Sequence, residues 1–292
     1  MHSLLEAEQF VSVASTLLDA SAAIKGSSAP ILLLAAPSLA GALSLAPIEA
    51  ALLDSGLPYR RRFRLEAPED GAWVHIQGPG NDAGPSFRAD PPQLTIAGEV
   101  VEGLHGPGGD VHRGPLTTVA QAHALAQAIA PKSQRLKRMR PWLISGNWLH
   151  SALDTTYDPV FTALRDMLVK EGTVSVVALP EVVDSDLSAT PWIEPLALEA
   201  ISARWPTLDL EGRARSLSHL MRPVLASSTP STARMEELGW HRVVAANWKS
   251  DLASQITRSA RMWKERGASA AAGELVDSLL RSGQAPSFEP QD

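Results

Sequence analysis

The chain has 292 residues, of which 45% are hydrophobic and 20% charged, and its formal net charge is −6. That much apolar material supports a packed core in one large or two small domains and excludes wholesale disorder. The acidic balance excludes a whole-molecule basic field for nucleic acid, and the absence of cysteine excludes disulfides, thiolate zinc sites and cysteine nucleophiles.

Leu4, Leu5, Phe10, Val13, Leu17 and Leu18 recur at helical spacing, which predicts a helix over residues 3–24. Acids lie inside this segment and no basic stretch precedes it, so it reads as an amphipathic helix rather than a leader. "PILLLAA" is short and wholly apolar, as a strand covered on both faces requires. A helix follows from about 41 to 54, with Pro47 inside it expected to kink it or break a turn. "YRRRFRL" alternates, with Tyr59, Arg61, Phe63 and Leu65 on one face and Arg60, Arg62 and Arg64 on the other. "GAWVHIQG" and "PQLTIAGEVVEG" read as further strands, and 115–130 as a helix that opens near Pro115 and stops at Pro131.

The run "PKSQRLKRMRP" holds Lys132, Arg135, Lys137, Arg138 and Arg140 with no acid among them. It reads as a boundary between two halves. Beyond it, Asp158 is an N-cap for a helix to Glu171, "TVSVVAL" is a buried strand, and 191–204 is helical. "WHRVVAAN" is another strand, 248–282 is mostly helix, and "GQAPSFEPQD" is a loose tail. The expected organisation is an N-terminal helix (1–27), an α/β core (28–131), a second, α/β or α-rich half of that core (132–246) and a C-terminal helical segment with tail (247–292). The β–α–β alternation predicts a mostly parallel sheet with helices on both faces, with "PILLLAA" central in it. No apolar run reaches the roughly 18–20 residues of a membrane span, so a soluble, cytoplasmic protein is expected.

No Walker-type phosphate loop and no G-x-S-x-G elbow occurs, and the eight histidines form no H-x-x-x-H pair. His123 falls on the apolar stripe of its helix and reads as a packed core histidine. His105 and His112 flank "GPGGD" and read as solvated loop side chains, with a metal role as the alternative. Asp184 and Asp186 follow a strand at its C-terminal end, where α/β sheets place ligands, and read otherwise as turn aspartates. Arg60, Arg62 and Arg64 read as a solvated edge strand, with contact to phosphates or an acidic partner protein as the alternative. Lys132, Arg135, Lys137, Arg138 and Arg140 balance between a solvated segment and a contact with phosphates or an acidic protein.

In order of elements the chain resembles the DHH phosphoesterase superfamily, within it the archaeal RecJ-like, GINS-associated nucleases and their inactive eukaryotic relative in the replicative helicase. Active members carry a D-x-D-G motif after the first strand; the matching stretch here is Ser38-Leu39-Ala40-Gly41, which keeps the glycine and lacks both aspartates. The aspartate ending a second strand corresponds to Gln77, and the D-H-H triplet to Ala97-Gly98-Glu99. "GPLTTVAQAHALAQAIA" is similar to the small-residue helix behind the D-H-H loop, and 210–240 to the stretch after the nuclease core. The resemblance covers residues 28–130, and 140–240 more weakly. It implies a two-metal centre whose ligands are gone here, since Ser38, Ala40, Gln77, Ala97 and Gly98 cannot hold divalent cations and Glu99 alone cannot hold two. The implied function is that of a catalytically inactive RecJ-like subunit, without cofactor or metal. It would bind GINS and the MCM helicase in a DNA replication complex, with single-stranded DNA as a further contact inside that complex and location at the nucleoid. The alternatives are a phosphoesterase or other hydrolase with a relocated site around Asp184, Asp186 and His105, and a regulatory partner of an active RecJ-like paralogue.

Overall fold

The computed structural model describes residues 2–286 apart from 226 and 228. Two short 3-10 turns, Leu4–Glu6 and Glu8–Phe10, lead into α1 (Val11–Gly26), so the expected helix over 3–24 is interrupted. Ala7 between the turns is extended, and long-range bonds take over from helical ones there: Leu4 N–H donates to Gln127 Oε1 at 2.9 Å and Gln9 Nε2 to the Gly103 carbonyl at 3.2 Å.

Next come β1 (Ile31–Ala35), α2 (Leu39–Asp54), β2 (Tyr59–Phe63), β3 (Trp73–Ile76), β4 (Ser86–Arg88) and β5 (Gln93–Ile96). They form one sheet in the order β2-β1-β3-β5-β4, parallel except for β4 at one edge. The fold class is therefore α/β with a mostly parallel sheet flanked by helices. Leu33 and Leu34 are both fully buried although successive strand residues face opposite sides, so β1 is an inner strand covered on both faces. Helix α2 is buried on all sides from Gly41 to Leu52. Contrary to the expected break, it runs unbroken through Pro47, because packing all round outweighs the one lost backbone bond. Arg60 and Arg62 project from edge strand β2 into solvent, Arg64 follows in the exposed loop, and Arg61 turns inward to Glu49 at 3.0 Å and Asp277 at 2.8 Å.

The stretch expected as one strand over 92–103 is two. The chain leaves the sheet at Ala97-Gly98 and enters an antiparallel hairpin of β6 (Glu99–His105) and β7 (Val111–Leu116). Pro115 belongs to β7, and the following helix α3 (Thr118–Ile129) starts later than expected, capped by Thr117, whose hydroxyl accepts from Ala120 N–H. A hydroxyl that accepts from the first turn is a better helix start than a proline held in a hairpin.

The basic run is not a linker between halves. Ser133 caps α4 (Gln134–Met139), whose Leu136 and Met139 are buried, and a 3-10 turn carries the chain through Trp142 to α5 (Ser145–Leu149) and α6 (Ala152–Thr155). After α7 (Pro159–Lys170), capped by Asp158 as expected, β8 (Val174–Val177) pairs antiparallel with β9 (Arg242–Ala245). Between them lie α8 (Pro195–Arg204), α9 (Leu210–Met221) and α10 (Thr232–Gly239), and after β9 come α11 (Leu252–Glu265) and α12 (Ala268–Ser282). Leu4, Leu33, Leu43, Leu125, Trp142, Phe161, Val243 and Leu275 share one apolar core that runs across 131/132. A smaller cluster around Leu179, Ile201, Trp205 and Leu217 sits under α8 and α9. The start of the expected loose tail is anchored: the Gly283 carbonyl accepts from Trp142 Nε1 at 2.9 Å and Ala285 N–H donates to Gln255 Oε1 at 2.8 Å. Residues 287–292 of that tail lie outside the described residues.

Candidate functional site

A cleft opens at the C-terminal ends of β1 and β3, bordered by the first turns of α2 and α3. This is where open α/β sheets place their ligands. Ser38, Ala40 and Gly41 line it from the β1–α2 turn, Gln77 from the end of β3 and Gly98 from the junction after β5. Five residues from three separated stretches, singled out in the sequence or beside its motif positions, thus share one wall.

Local chemistry explains the turn. Ser38 is the N-cap of α2 and its Oγ accepts from Gly41 N–H at 3.1 Å. A Cβ on Gly41 would stand 2.3 Å from the Ala36 carbonyl oxygen, so glycine is needed for close approach of backbone to backbone. Gln77 continues the sheet ladder, with its N–H on the Ile96 carbonyl at 2.9 Å, and its Oε1 accepts from Asn81 Nδ2. Behind the cleft, buried Asn147 donates to the Pro115 carbonyl at 2.7 Å and to Asp158 Oδ2 at 3.0 Å. Asp158 also caps α7 through Val160 and Phe161 N–H, and its burial pushes the carboxyl above its usual range despite those bonds.

Ala97 and Glu99, also singled out in the sequence, do not line the cleft. Ala97 is buried, and its carbonyl accepts from Gln121 Nε2 at 2.6 Å. Glu99 is directed against Gly84, whose Cβ would meet its carboxylate at 2.8 Å. Residues not singled out in the sequence complete the lining, among them Asn81, Asp82, Thr117, Thr118 and His150. None carries a motif; they meet through the β3 loop, the α3 cap and α5, which no local spacing reveals. Asp82 is the one carboxylate and His150 the one imidazole among the described lining residues. Neither α2 nor α3 has an acid in its first turn, so both helix dipoles face the cleft uncompensated. The arrangement suits hydrogen bonding to a small polar or anionic group. It does not assemble the several convergent carboxylates that a two-metal hydrolytic centre uses.

The alternative site around Asp184, Asp186 and His105 does not come together. Asp184 makes a two-pronged bond to Arg258 at 2.7 and 2.8 Å, and this guanidinium holds its carboxyl below the usual range. Asp186 pairs with Arg261 and caps the turn at Ser188, while His105 lies beside Glu8 and Glu102. His112 pairs with Asp110 at 2.8 Å. His123 is a core residue as expected, and burial, with Arg140 nearby, drives its imidazole down to about 3.

The five-cation patch is reduced. Arg140 is 3% exposed and bonds Glu171 at 2.8 Å, so the structure corrects the expectation that it faces a partner, while the partly exposed Arg135 pairs with Asp54. The acids come from elements distant in sequence. Lys132, Lys137 and Arg138 remain exposed and make no salt bridge among the described residues. Lys137 and Arg138 border a groove of about 1020 Å³ against Asn247 and Trp248. No helix among the described residues is long and apolar enough to cross a membrane. In comparisons with known proteins, no family model matches the chain and no curated protein matches its sequence.

Proposed function

We propose that the chain is a catalytically inactive RecJ-like protein of the DHH type that serves as a binding module in a DNA replication assembly, with GINS and the MCM helicase as partners. The observation that carries this reading is the strand-end cleft. The positions matched to the family's metal ligands at Ser38, Ala40, Gln77 and Gly98 meet there, and a hydroxyl, a methyl, a carboxamide and a glycine stand in place of carboxylates and imidazoles. An unreactive cleft on a frame of this kind supports holding over hydrolysis. The ion pairs of Asp184 and Asp186 weigh against the relocated hydrolase.

Two measurements test the reading. Purified protein with manganese is expected to leave single-stranded DNA, RNA and dinucleotides intact, and the tagged chain is expected to co-purify with GINS from native extract. Metal-dependent turnover abolished by Asp82→Asn or His150→Ala would make the cleft an enzyme site and refute the inactive assignment. Purification free of GINS and MCM subunits would refute the replication assignment.

A further inference from the structure

Outside the cleft, we propose that Glu8, Glu102 and His105 form a surface site for a divalent transition-metal ion of the zinc class, bridging the N-terminal segment to the β6–β7 hairpin. One ligand atom from each lies within 4.8 Å of the other two. His105 Nε2 is 3.4 Å from Glu8 Oε1 and 3.9 Å from Glu102 Oε2. Ligands bound to zinc at about 2.0–2.2 Å in a tetrahedron stand about 3.3–3.5 Å from one another, so small rotations of exposed side chains close the shell.

The backbone brings these donors together by a specific device. Residues three apart on a regular strand face opposite sides, which would separate Glu102 from His105. A β-bulge intervenes: Glu102 pairs with Arg113 and Leu104 with His112, which leaves Gly103 unpaired between them. The extra residue restores both side chains to one face, as bulges do when they re-aim a side chain. Gly103 is held in place from behind, because a Cβ there would stand 2.6 Å from the Pro159 carbonyl carbon. Glu8 arrives from another part of the chain, and its neighbour Gln9 bonds the bulge itself through the Gly103 carbonyl at 3.2 Å. One imidazole and two carboxylates with solvent beyond them suit a borderline cation that keeps water in its remaining positions, and the imidazole favours zinc over calcium or magnesium. All three side chains are close to half exposed or more, so binding needs no desolvation of a buried charge.

Titration calorimetry of zinc chloride into the chelator-stripped full chain is expected to show one saturable site that excess calcium does not displace. His105→Ala should abolish it, and Glu8→Gln and Glu102→Gln should each weaken it roughly tenfold or more. His112→Ala, which removes the nearby imidazole paired with Asp110, should leave it unchanged. Circular dichroism checks that the variants fold, and a shift of the His105 ring resonances that saturates at one equivalent of zinc gives a readout in the unmodified protein. Absence of saturation up to millimolar zinc, binding insensitive to His105→Ala, or binding lost on His112→Ala would each overturn the proposal.

Discussion

His123 shows what burial does to one side chain. It sits in α3 with its Nε2 fully buried and without a hydrogen-bond partner among the described residues, and desolvation drives its imidazole to about 3. Its folded value is below the ordinary 6.5, so the neutral form's contribution to stability is fully present above pH 6.5. It is lost progressively as pH falls from 6.5 toward 3, since the unfolded chain takes up the proton first. The full span corresponds to roughly 5 kcal/mol. His123→Leu is therefore expected to flatten the decline in denaturation midpoint between pH 6.5 and 4, measured by urea melts across that range; an unchanged slope would assign the acid sensitivity elsewhere. Gly41 makes the complementary point, since its role is set by the carbonyl of Ala36 and by no property of its own helix.

At the scale of an element, α4 separates cations of one short run into two kinds. Arg140, just past its end, is buried against Glu171, which also accepts from the His2 N–H, so its charge is spent inside the protein. Lys132, Lys137 and Arg138 face outward, the latter two beside the groove at Trp248. Reversing these three to glutamate is expected to slow association with an acidic partner surface, most at low salt, with little change in melting temperature. Arg140→Ala is expected to do the opposite, costing about 3–5 kcal/mol of stability because Glu171 is left buried and unpaired. Stopped-flow association rates and thermal melts on the two variants check both halves; equal association rates for wild type and the triple reversal would leave this face without a binding role.

For the molecule as a whole, the apolar core disregards the expected halves. Trp142, Phe161, Val243 and Leu275 pack in the same cluster as Leu33 and Leu43, and α12 lies against α2. Trp263 of α11 also donates to the Pro37 carbonyl at 2.8 Å, so the C-terminal helices brace the turn that shapes the cleft. A fragment of residues 1–131 would expose the face of α2 that α12 covers. It is expected to show no cooperative thermal transition, whereas the full chain shows one; a sharp transition of the fragment, followed by calorimetry, would restore 131/132 as a domain boundary.

What the sequence determined by itself is whatever local patterning encodes. The unbroken apolar run of 30–36 makes β1 an inner strand, the alternation of 59–65 separates the faces of β2, and Asp158-Pro159 starts α7, because each depends on neighbours within a few residues. The candidate cleft was half legible: Ser38, Ala40, Gln77 and Gly98 were marked by the family resemblance, while Asp82, Thr117 and His150 were not, because nothing in their own segments distinguishes them. Only the tertiary structure decided the rest. It kept Pro47 inside a helix packed on every side, tied the basic run to Asp54 and Glu171, and turned Ala97 and Glu99 away from the cleft. It also set Glu8 beside His105 across a bulge. The physical reason is common to all four: burial and charge pairing are properties of groups that meet in space, and their partners lie far away along the chain.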